Sequence, residues 1–392
     1  MCDGAKTLSH ITHHGSPITN EEEEMSERKW LTTEHPAVVF EDTRVGRLKK
    51  ELWDAPMEEI ERILAEYGIP SPPELAVPGT YIQTTPRKKL VENRKVNDIV
   101  IIPVGSTERH GEHSCSGHDT LQVTQIIEAV RRYTAKKGYP VNLAWPINYG
   151  SHPFHHIGMP GNVIMPEEVT RETLIHIMLG LWNDGFRKQI IINNHGHLWV
   201  LESAIHEFLY RYQLPGIYRV IDWHRAVREF FVPCEVTGWE TDFIHAAEHE
   251  TSLGLLLFPE GMIEMADAVD EEGKPFLPEG HFDTSVDPYR RPHRWSEGEG
   301  HAAIEIRATP HGSVGKPSLA SAEKAKRPVA AILKYLTLVI EEILEAYPPG
   351  KLPPVEDLTL RPAEELEPYL KWPEEPGWKS AYGIPRRGMW LE

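Results

Sequence analysis

The chain has 392 residues, 40% hydrophobic and 26% charged, which supplies the apolar material for a sizeable core in one large domain with extensions. With 59 acidic against 41 basic residues, the formal net charge of -18 repels phosphate backbones and anionic membranes, so neither nucleic acid nor a membrane is an expected partner. The cysteines, Cys2, Cys115 and Cys234, are too few for a disulfide scaffold, and no apolar run approaches the ~18 residues of a membrane span, so a soluble cytoplasmic protein is expected.

Residues 1–30 are polar and acidic and read as flexible. Met57 to Tyr67 has the spacing of a short amphipathic helix, followed by proline-rich sequence from Pro70 to Pro78. Residues 1–95 are therefore expected to be an extension that packs on the main domain. From Asp98 the texture changes. Ile99 to Val104 is a nearly continuous β-branched run, the mark of a buried parallel strand.

A helix over Thr120–Lys137, a strand over Val141–Ile147 and a helix over Pro166–Asp184 follow, the last closed by Gly185. Next come a strand at Gln189–Asn193, a helix at Leu198–Tyr212, a strand at Ile217–Trp223 and a helix at Ala246–Phe258. Alternating strands and helices predict a mostly parallel sheet covered on both faces, an α/β/α sandwich. Residues 262–300, rich in Gly, Pro and acidic side chains, read as a long loop of the kind that lines a site. A long helix begins near Ser318, with Pro328 expected to kink it. The domain runs over 96–347, and a Pro- and Trp-rich tail over 348–392 is expected to wrap a neighbour.

Three clusters carry chemistry. The first strand runs into Gly105–Ser–Thr–Glu108–Arg–His110, which puts a carboxylate and an imidazole two residues apart on one side of extended chain. Asp119 follows at the start of the next helix. The strand at Gln189–Asn193 ends in Asn194–His195–Gly196–His197, a second such pair. The third cluster is His245–Ala–Ala–Glu248–His249–Glu250. On a regular helix His245 pairs with His249; with His245 at or before the helix start, His245 and Glu250 both point inward. Each cluster alone is ordinary surface polarity. All three fall where ligands gather in open α/β sheets, beyond the carboxyl ends of strands.

These segments resemble the creatininase family. The resemblance rests on Pro103–Gly111 through Thr120, on Gly150–Met165 with His155 and Pro160–Gly161–Asn162, and on Asn193–His197. It continues through His245–Ser252 and Ser313–Glu323, and so spans roughly residues 95–345 with the motifs in order. It implies a three-layer α/β/α fold, usually assembled as a hexamer. It also implies two divalent metal ions (Zn²⁺ first, with Mn²⁺ or Fe²⁺ fitting) held by Glu108, His110, Asp119, His195 and Glu250. Asp119 would bridge the pair and His245 would donate a proton.

Two departures stand out: Asn194 replaces the motif's glycine, and His197 stands where members carry Gly or Glu, as a ligand or base. The extensions are more similar to the branch of the family that opens an oxidised inositol ring than to compact creatininases. The expected function is therefore metal-dependent hydrolysis of a small cyclic polar substrate, with a cyclic amide, a modified peptide or a non-catalytic scaffold as rival readings. Arg109, His152, His155, Trp199, Trp223 and Trp239 are candidates to bind a polyol, although core packing is the commoner fate of a tryptophan. Cys115 lies between ligand positions without a base partner, as a small buried or loop residue would.

Overall fold

The structure, a computed structural model, describes residues 29–274, 276 and 303–387. The acidic stretch over 1–28 and most of the loop expected over 262–300 lie outside the described residues. In chain order, strands β1 (Trp30–Thr32) and β2 (Val39–Glu41) precede helices α1 (Arg44–Asp54), α2 (Met57–Tyr67) and α3 (Arg87–Val96). The alternating region holds β3 (Ile99–Val104), α4 (His118–Lys136), β4 (Asn142–Leu143), α5 (Glu167–Asn183), β5 (Lys188–Asn193), α6 (Leu198–Tyr212) and β6 (Ile217–Asp222). Then come α7 (Trp223–Ala226), α8 (Glu248–Leu257), α9 (Glu305–Ala308), α10 (Ala322–Ala346) and α11 (Ala363–Leu370).

The main sheet has the order β4-β3-β5-β6 and every pairing in it is parallel. Because side chains alternate along a strand, each strand feeds both faces. Ile99, Ile101, Ile190, Ile192 and Ile221 join one core with Val123 and Ile127 of α4, Leu253 of α8 and Ile332 of α10. Val100, Ile102, Val104 and Ile191 join the other with Leu174 and Met178 of α5 and Leu201 and Phe208 of α6. The three layers expected from the alternation are present.

Trp53 of α1 and Tyr67 of α2 bury into the first core, so these N-terminal helices share it. The described part of the tail folds back on its own chain, where Leu366 of α11, Ala381 and Ile384 complete the second core. The expected strand over Val141–Ile147 is reduced to Asn142–Leu143 plus one bridge between Val104 and Ile147. Pro328 sits within a single continuous helix, α10. No helix among the described residues is long and apolar enough to cross a membrane.

The register aligns the strand ends: Val104 pairs with Asn193, and Asn193 with Asp222. From β3 the chain moves through α4 on one face to β4, then returns through α5 on the other face to β5, on the opposite side of β3. Such a reversal of winding leaves a crevice beyond the carboxyl ends of β3 and β5. The polar clusters that follow these two strands open into it.

Candidate metal centre

Glu108 and His110 leave β3, Asp119 lies in the first turn of α4, His195 follows β5, and Glu250 lies in the first turn of α8. The five converge. His195 Nδ1 is 2.8 Å from Glu108 Oε2 and 3.1 Å from Asp119 Oδ2. His110 Nε2 is 3.1 Å from Asp119 Oδ1 and 3.5 Å from Glu250 Oε2. Asp119 thus offers one oxygen to each half of the cluster.

The opposite ring nitrogens are already engaged. His195 Nε2 lies 2.9 Å from the Ser151 carbonyl, and His110 Nδ1 lies 3.2 Å from the Glu108 carbonyl. Carbonyl oxygens only accept, so each ring carries a proton there, and the nitrogen facing the carboxylates is the one that would give up its proton to a cation. His118 stacks on the His110 ring at 4.4 Å and approaches the Glu250 carbonyl at 3.0 Å, fixing both.

This donor set fits divalent cations. Glu108 Oε1, His110 Nε2 and Asp119 Oδ2 are buried and have no hydrogen-bond partner, despite neighbours within about 3 Å. Their atoms aim at common points rather than at one another, as ligands of one ion do. Leaving buried polar atoms unpaired costs about 1–3 kcal/mol each, a deficit that coordination removes.

The electrostatics agree. Burial disfavours a charged Glu108, but the His245, His195 and His156 imidazoles outweigh it and hold the carboxyl well below its usual range. Burial likewise opposes a charged His195, yet Glu108 and Asp119 raise it to about 10. The cluster draws positive charge to the place a divalent cation would occupy, and ion binding there would release protons.

His245 precedes α8, which begins at Glu248, so the inward alternative holds. Its Nε2 lies 2.7 Å from the Arg109 carbonyl, and its Nδ1 faces Glu108 at 3.6 Å and Glu250 at 3.8 Å. His249, its partner at helical spacing, packs instead against Trp239 at 4.2 Å. His197 is fully buried, 4.6 Å from the His195 ring, and burial keeps it neutral with both nitrogens unpaired.

The remaining expected residues disperse. The Arg109 side chain reaches Glu112, while its backbone N–H donates to Asn162. Trp199 is 37% exposed and its indole N–H bonds Glu167. Trp223 is fully buried in the first core, and its N–H donates to Asn194 Oδ1 at 2.5 Å. Trp239 is also core, donating to the Phe230 carbonyl. Cys115 is partly buried, and burial raises its thiol pKa.

Sequence reasoning missed His156 and Glu305 as members. His156 Nδ1 is 2.9 Å from Glu108 Oε1, and its Nε2 is 3.3 Å from Glu305 Oε1. His156 directly follows His155, which the sequence singles out, but nothing near Glu305 marks it. His152 also closes in, 4.5 Å from the His195 ring, with Ser106 holding its Nε2.

Comparison with known proteins shows the lineage of the chain. The family model described as creatinine amidohydrolase covers residues 84–340. A 3-dehydro-scyllo-inosose hydrolase from Thermotoga maritima is 47% identical over 305 residues, spanning 78% of this chain and 96% of that protein. Creatinine amidohydrolase from Pseudomonas putida is 26% identical over 212 residues, 50% of this chain and 76% of that protein. Among solved structures, a creatininase variant complexed with creatine aligns with TM-score 0.51 at 20% identity, over 69% of this chain and 99% of that one. A manganese creatininase aligns with TM-score 0.50 at 20% identity, again over 69% and 99%. The chain belongs to the creatininase family of metal-dependent hydrolases.

Proposed function

We propose that this protein opens the ring of 3-dehydro-scyllo-inosose by carbon–carbon hydrolysis, in inositol catabolism, with two divalent cations in the cluster around Asp119. The observation that carries the reading is the 47% identity along 96% of the Thermotoga enzyme, joined to a carboxylate that faces both halves of the cluster. Glu108, Asp119 and His195 would hold one ion, and His110, Asp119 and Glu250 the other. Zn²⁺ suits this mixed set of imidazoles and carboxylates, and the manganese form of a structural neighbour makes Mn²⁺ the next candidate. The reading extends to a cytoplasmic homohexamer.

The ions, when bound, lower the pKa of a water and polarise a carbonyl. The chain does the rest. The substrate is a cyclic 1,3-diketone, so adding water across one carbonyl lets the bond to the carbon between the two carbonyls break. The electron pair then spreads onto the second carbonyl, and a proton must reach that carbon. His245 is placed for this transfer, since the Arg109 carbonyl fixes its ring and turns Nδ1 to the cluster. Neutral His197, beside His195, serves as the accessory base or ligand. Arg109 and Trp199 would contact the polyol at the rim.

The test is turnover of 3-dehydro-scyllo-inosose and of creatinine by one metal-loaded preparation, read as acid release and as loss of creatinine. Acid from the inosose alone supports the proposal. Consumption of creatinine alone replaces it with a cyclic amidohydrolase, and activity on neither discards the substrate.

A further inference from the structure

Beside the cluster around Asp119 lies a second convergence of donor atoms. His155, His156 and Glu305 each direct one ligand atom into a region where all three lie within 4.8 Å of one another. All are nearly excluded from solvent, at 4%, 4% and 1% exposure. The three come from separate parts of the fold. His155 and His156 form a single tight turn in the loop after β4. Glu305 opens α9, where the chain re-enters the site. Two backbone hydrogen bonds bind that returning segment to the centre, from Gly111 N–H to the Gly312 carbonyl and from Val314 N–H to the His245 carbonyl.

Glu305 Oε1 has no hydrogen-bond partner, although His156 Nε2 stands 3.3 Å away. The imidazole and the carboxylate are close but misaligned for N–H···O, as at Asp119. A buried carboxylate in that position is expensive unless a cation meets it. Imidazole binds an ion through a ring lone pair, and His155 and His156 each direct one ring nitrogen into this region. His156 sits between Glu108 and Glu305, with Nδ1 toward the first at 2.9 Å and Nε2 toward the second at 3.3 Å, so Nε2 is the nitrogen that would coordinate. Its Nδ1 would then keep its contact with Glu108.

We propose that His155, His156 and Glu305 form a third divalent-cation site, separate from the pair around Asp119. Two imidazoles and one carboxylate select a borderline ion such as Zn²⁺ over Mg²⁺ or Ca²⁺ and leave a fourth position open. The proposal goes beyond the two-ion reading and stands without it, since Asp119 contributes nothing to this set. It also takes His155 out of the group expected to touch substrate.

The experiment strips the full-length protein with a chelator and titrates it with Zn²⁺ alone, counting bound ions by equilibrium dialysis and elemental analysis. Parallel Co²⁺ spectra report the coordination geometry. Three ions in the unaltered protein, two in Glu305→Gln and in His155→Gln, and one in Asp119→Ala are expected. Melting curves identify which variants are folded, and two independent single-site variants guard against one failing to fold. An unaltered protein that saturates at two ions, with Glu305→Gln also at two, overturns the third site and leaves an imidazolium–carboxylate pair. Loss of every ion in folded Glu305→Gln also overturns it as a separate site. If Asp119→Ala keeps all its ions, the two-ion reading fails instead.

Discussion

His245 Nδ1 and Glu250 Oε2 face each other at 3.8 Å although they stand five positions apart, a spacing that no regular helix brings to one side. The chain achieves it by starting α8 late and placing Ala246 in the left-handed region, at φ 50°. From there the Ala246 N–H donates to Glu250 Oε2 at 2.6 Å. A left-handed L-residue costs about 1–2 kcal/mol, and β-branching makes it worse. Ala246→Gly is therefore expected to keep or slightly raise the melting temperature with activity retained. Ala246→Val should lower stability by at least about 1 kcal/mol and reduce turnover by misplacing both side chains. Equal melting curves for the two variants would contradict the strain.

Asp119 faces both His110 and His195, so one substitution should empty both halves of the centre. Asp119→Ala is expected to lose both ions of that pair and to drop turnover by several orders of magnitude. Elemental analysis of the dialysed variant checks it, and a full complement with normal turnover would refute the shared carboxylate.

Trp223 acts through Asn194, whose Nδ2 donates to the Asp119 carbonyl at 2.7 Å. Trp223→Phe leaves Asn194 Oδ1 buried without its donor, which should cost about 1–3 kcal/mol in denaturant unfolding. KM should change little, because the ring packs in the first core and reaches the cluster through Asn194. Trp199→Phe, at the surface, should stay within about 0.5 kcal/mol of the parent. A large KM rise in Trp223→Phe with unchanged stability would reverse these roles.

Far from the centre, Glu128 of α4 is fully buried and accepts from the Tyr81 hydroxyl at 2.7 Å and the Glu74 N–H at 2.8 Å. Burial outweighs both donors and raises its pKa to about 7. Between the unfolded value near ~4.3 and 7, the native state holds a proton that the unfolded state has released. This group's contribution therefore declines as pH rises through that window and is level above it, a change on the order of 3 kcal/mol. Glu128→Gln, which can still pair with both partners, should flatten the decline. Unfolding curves from about pH 5 to about pH 8 test this, and parallel slopes for parent and variant would refute it.

Much of the fold was legible because local chemistry dictates it. The β-branched run Ile99–Val104 can only be a strand buried on both faces, and the apolar stripe of Leu198–Tyr212 specifies that helix to the residue. The positions of Glu108, His110 and His195 follow from strand ends, since parallel strands in register deliver their following residues to one crevice, and Asp119 joins them from the first turn of α4.

What tertiary structure alone decided is which side chains meet across long separations. Glu305 reaches His156 from nearly the far end of the domain, and no periodicity encodes that contact. Tryptophan chemistry is the same at Trp199 and Trp223, yet one lies at the surface and the other in the core, because position in the layers sets burial. His245 and His249 traded places because a single left-handed residue moved the start of a helix. Sequence determined the elements and the ends of the strands, through interactions between near neighbours. Packing determined the partners, because burial and ion pairing depend on distances that only the assembled layers define.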